Sequence, residues 1–91
     1  MKMKQYYGAL KSRLWTWYNA PGTNRSAIWK QHCDSVSHDS TVKNLQVRLA
    51  WDAARLVTIP EERTEWIDAC DASDAHFTSL AIAVCKDIGM L

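Results

Sequence analysis

Between its turn residues this chain repeats apolar side chains at every third or fourth position, and nowhere does it alternate them. Residues three and four apart share one face of a helix, whereas a half-buried strand needs a period of two. The periodicity therefore restricts the chain to an all-α fold, a compact bundle of about five short helices. The first is predicted over residues 3 to 18, where Met3, Tyr7, Leu10, Leu14 and Trp17 form the core-facing stripe. It stops before Pro21 and Gly22, which cannot continue a helix.

The same reading carries through the remaining segments. Ser26 is expected to cap a short second helix that turns Ile28, Trp29, Cys33 and Val36 inward, with His32 on the same side. Ser40 is expected to cap a third, running to about Val57, with Val42, Leu45, Leu49, Ala53 and Leu56 as its core stripe. Thr58 and Glu61 have capping-box spacing, and Pro60 suits a first turn, so a fourth helix runs from there to about Cys70 with Ile59, Trp66, Ile67 and Cys70 inward. Ser73 or Asp74 starts the fifth, which buries Phe77, Leu80, Ala81, Val84 and Ile88 and ends at Gly89.

A chain of 91 residues is long enough to bury one core without staples, so residues 1–91 are expected to form a single helical domain. The longest apolar run, Leu80 to Cys85, is far short of the roughly 18 residues that a membrane span requires. The basic N-terminal stretch lacks the apolar core of a signal peptide, which places the expectation in the cytoplasm, away from membranes. Cys33, Cys70 and Cys85 form no close pair, so neither a disulfide framework nor a zinc site is indicated, and no cofactor is expected.

Net charge is only +1, yet the charges are segregated. Residues 1–50 hold eight Lys or Arg against two acids, and residues 51–91 hold three against eight. Such asymmetry accompanies nucleic-acid contact, docking on a charged partner, or attraction between the two halves of one fold.

Catalysis finds little support. His32, Cys33, Asp34, His38 and Asp39 cluster in sequence, but adjacent helical residues diverge by roughly 100°, so His32 and Cys33 do not converge. With only three glycines there is no phosphate or oxyanion loop.

Surface chemistry is more telling. Trp15 lies off the apolar stripe of the first helix, on a side it shares with Lys4, Lys11 and Tyr18. Aromatic residues beside basic ones are typical anchors of protein interfaces, and the alternative is coverage by another helix. Val47, Trp51 and Ala54 form a second stripe on the third helix, either sandwiched in the bundle or a face for homodimer formation. Glu61, Glu65 and Asp68 make a carboxylate ridge on the fourth, either a docking surface or a solvated face. A nucleic-acid reading would use Arg13, Asn24, Arg25, Lys30 and Gln31, although the "NAPGTNR" linker is long for a helix-turn-helix.

No family motif marks the chain. The residues point to a small, non-enzymatic intracellular interaction protein with a protein partner, acting as an inhibitor or adaptor. Small phage-encoded antagonists of host machinery, anti-CRISPR proteins among them, share this style by analogy of kind alone. The alternative is a DNA-binding transcriptional regulator that uses the basic N-terminal half.

Overall fold

The computed structural model describes residues 2–91, apart from the side chain of Lys2. Five helices follow one another: α1 (Lys2–Tyr18), α2 (Arg25–Ser37), α3 (Leu45–Val57), α4 (Pro60–Ala69) and α5 (Asp74–Asp87). No strand occurs among the described residues, so the all-α expectation holds. The radius of gyration is 13.2 Å, close to the ~12 Å of a compact chain this long. Among the described residues no helix is long and apolar enough to cross a membrane.

Three helix starts differ from those read in the sequence. Helix α2 begins two residues earlier than a Ser26 cap allows, because the chain turns at Gly22 (φ 76°) and Asn24 takes the left-handed conformation (φ 56°) ahead of Arg25. In front of α3, the Asp39 carboxylate accepts hydrogen bonds from the Thr41 amide at 2.9 Å and its hydroxyl at 2.7 Å. That turn keeps Ser40, Val42 and Lys43 out of the helix, and Asn44 is the cap, its Oδ1 accepting from the Val47 amide at 3.2 Å. At α4 the predicted Thr58–Glu61 pairing moves on by one residue. Glu62 Oε1 accepts from the Ile59 amide at 3.3 Å, while Thr58 donates its hydroxyl back to the Ala54 carbonyl of α3.

Both C-termini of the last two helices close with left-handed turns. Gly89 (φ 83°) ends α5 as predicted, with the Met90 amide bonded to the Cys85 carbonyl at 2.8 Å and the Gly89 amide to Lys86 at 3.2 Å. Helix α4 closes in the same way through Ala72 to Ile67 and Asp71 to Asp68, but here a non-glycine residue, Asp71 (φ 49°), occupies the left-handed position.

Helices α3 and α5 pack most extensively, and α1 lies across both. Small residues make this close approach: Ala50, Ala53 and Ala54 of α3 and Ala81 of α5 are all buried. Leu10 and Leu14 of α1 complete the centre with Val84 and Cys85. The buried face of α3 is therefore centred between Leu49 and Ala54, merging its two predicted stripes into one broad face. Leu45 and Leu56 fall roughly 90° or more from that centre and are exposed, contrary to the core stripe read for them. Ile28 and Ile59, also expected inward, are exposed as well.

An aromatic cluster joins α4 to the rest. Trp66 stacks on Tyr6 with ring centroids 4.9 Å apart and meets Phe77, which in turn meets Trp51 at 5.5 Å. On the other side of the bundle, buried Trp29 donates its Nε1–H to the Met90 carbonyl at 2.9 Å, tying α2 to the chain's end.

Candidate functional site

Helix α1 buries Leu10 and Leu14, which fixes what its remaining faces present. Trp15 sits roughly 100° from Leu14 and is 57% exposed, with no covering helix. Lys11, one turn earlier, reaches Asp87 at the end of α5 at 3.8 Å. Tyr18, nearly one turn later, is half-buried beside Trp29 and Met90. Lys4 shares the direction of Trp15 but lies about 16 Å away along the axis, in a shallow groove with Tyr7 and His76. The predicted row of Lys11, Trp15 and Tyr18 is thus one continuous strip, with Lys4 at its far end.

The acidic ridge is elsewhere. Glu61, Glu65 and Asp68 are exposed and form no ion pair among the described residues, but α4 approaches α1 on its opposite side. There Arg13 donates to Glu62 at 2.6 Å and to the Val57 carbonyl, and lies 5.6 Å over the Trp66 ring. Arg13 points roughly 200° from Trp15 around α1, so the two sets of partner-binding candidates occupy different surfaces. The Arg13–Glu62 and Lys11–Asp87 pairs join the basic half of the chain to the acidic half.

The other candidate sets are dispersed or covered. Ala54 is buried, Val47 is half-buried, and Trp51 is held between Phe77 and the Arg63 guanidinium 4.6 Å above its ring. The second stripe of α3 is thus sandwiched, not presented as one apolar face. Of the nucleic-acid set, Arg13 is engaged with Glu62, Arg25 lies 5.3 Å over Trp17, and Asn24 stands at the N-cap position of α2 without a side-chain cap hydrogen bond. Lys30 and Gln31 line a separate open groove with Tyr18 and Leu45. These five residues share no single face.

The folded chain also forms an apolar groove of about 280 Å³ where α1, α2 and α3 meet, which the sequence reading did not anticipate. Its apolar walls are Trp17, Trp29, Ile28 and Leu56. Ile28 is 54% and Leu56 45% exposed. Polar groups converge at one edge: His32 Nε2 donates to Asp52 Oδ2 at 2.8 Å, and Arg48 Nε reaches the same oxygen at 3.1 Å. Trp17, expected in the core, is half-buried and helps to line this groove.

No hydroxyl or thiol is hydrogen-bonded to His32 among the described residues, where its partner is Asp52. Burial raises the pKa of the Cys33 thiol and pushes that of Cys85 up to about 11, favouring the less nucleophilic thiol form. The Ser73–His76 contact at 3.0 Å belongs to the start of α5, where Ser73 caps the helix. Among the described residues no three His, Cys, Asp or Glu side chains are placed to hold a metal ion. The chain matches no protein-family model, and no curated protein or solved structure is significantly similar to it.

Proposed function

We propose that this chain is a small, non-enzymatic protein-binding module, an inhibitor or adaptor, whose contact strip is Lys11, Trp15 and Tyr18. The observation that carries the reading is Trp15, a large aromatic left 57% exposed on a helix whose other apolar residues are at least half covered. Trp, Tyr and basic side chains dominate interface hot spots because they combine large apolar area with a polar or charged handle. Lys11 and Asp87 add a polar rim in which one exposed ion pair contributes little to folding and remains available to a partner.

The test is quantitative capture from native-host extract by the wild-type chain, the Trp15→Ala variant and the Gln46→Ala variant, with recovered proteins compared by mass spectrometry. A partner retained by wild type and Gln46→Ala but depleted about tenfold or more by Trp15→Ala supports the reading. Identical recoveries from all three would overturn it.

A further inference from the structure

We propose that the groove between α1, α2 and α3 is a second docking site, which takes an acidic segment of another protein. An apolar side chain of that segment inserts between Ile28 and Leu56, and a neighbouring carboxylate pairs with Arg55. This goes beyond the Trp15 strip and rests on a different surface.

Shape and polarity set the apolar half of the recognition. Ile28 and Leu56 line one groove from two different helices, together with Trp17 and Trp29. Two large aliphatic side chains opened toward one concavity are the arrangement that receives an apolar anchor from a helix or an extended peptide.

Charge sets the other half. Asp52 is the one carboxylate on the lining, and it is shared among His32 at 2.8 Å, Arg48 at 3.1 Å and Arg55 at 3.7 Å. Arg25, over the Trp17 ring, adds a third guanidinium near the rim. Arg48 also acts on Asp39, so three permanent positive charges meet two negative ones, and the surplus lies beside the apolar floor. The Arg55 side chain is 67% exposed, and its long contact with Asp52 leaves most of its five N–H donors open. A guanidinium in that state favours a carboxylate in fork geometry, and the surplus charge repels a basic segment. Duplex DNA matches the charge, but its bases are paired and stacked away from the apolar walls.

The experiment uses the full chain and two labelled helical peptides followed by fluorescence anisotropy. Both carry leucines at positions i, i+3 and i+7, one flanked by Glu and the other by Lys. Saturable binding of the Glu peptide is expected, with the Lys peptide about tenfold or more weaker. Arg55→Glu and Ile28→Ser, each confirmed as folded by circular dichroism, should each weaken the Glu peptide by about tenfold, while Ser79→Ala leaves it unchanged. Equal binding of the two peptides, no saturable binding, no loss in Arg55→Glu, or displacement by duplex DNA would each overturn the proposal. The readout needs no Trp15 partner, so failure here and failure of the Trp15 strip are separate results.

Discussion

The Trp29 indole joins α2 to the end of the chain across 61 residues of sequence, and Trp29→Phe isolates that link. Phenylalanine keeps an aromatic ring between α2 and α3 but has no N–H for the Met90 carbonyl. Both residues are buried, so the abandoned carbonyl is left without its partner in a site that water reaches poorly. An unsatisfied buried acceptor costs about 1–3 kcal/mol, and the space vacated by the larger indole adds about 1 kcal/mol. The expected loss is therefore about 2–4 kcal/mol, a large share of the ~5–13 kcal/mol typical of a chain this size. Even the lower figure corresponds to a fall in melting temperature of about 8–16 °C. Thermal and urea unfolding followed by circular dichroism measure it directly. A fall of less than about 3 °C would refute the reasoning, because the Met90 carbonyl would then be satisfied without Trp29.

Asp71→Gly should stabilise the protein by about 1 kcal/mol, since glycine takes the left-handed position without steric cost and the substitution removes a negative charge from the C-terminus of α4; an unchanged or lower melting temperature contradicts this. Hydrogen bonding to Arg13 lowers the Glu62 pKa, so its contribution to stability is present above the ordinary value of about 4.3 and disappears as pH falls through the lowered one. Glu62→Gln can keep the Ile59 amide contact but loses the charge, so urea unfolding should show wild type ahead at neutral pH and the gap closing in acid; a pH-independent gap would count against the pair. Thiol labelling of the native protein should modify Cys70 well before Cys85, which is buried and whose pKa is pushed up to about 11. Equal rates would mean that the centre of the bundle opens readily.

Helix number and order were legible because apolar period and turn residues agreed. Ser73 and Gly89 bound α5 where the sequence places them, and Leu10 and Leu14 sit at the centre of α1's buried face. The starts of α2, α3 and α4 were harder, since "TNRS", "SHDSTVKN" and "TIPEE" each offer several cap residues. Only local turn geometry, such as the Asp39–Thr41 contacts, selects among them. Periodicity also marks a face as apolar without saying which neighbour covers it. Periodicity therefore assigns Ile28 and Leu56 to the core, although α1, α2 and α3 leave a groove between them. Trp15 was readable for the converse reason: it lies off every stripe of its own helix. The Arg13–Glu62 pair, 49 residues apart, was foreshadowed only by the opposed charges of the two halves.

Occupation of Trp15 by another protein is read out by a photoreactive residue placed at that position. Benzoylphenylalanine at position 15 preserves a large aromatic on an exposed site, where a substitution should alter stability by no more than about 0.5 kcal/mol. After irradiation in native-host cells, one discrete covalent adduct is expected from position 15 and none from the same residue at exposed position 46. No adduct from position 15, or the same adducts from both positions, would contradict it.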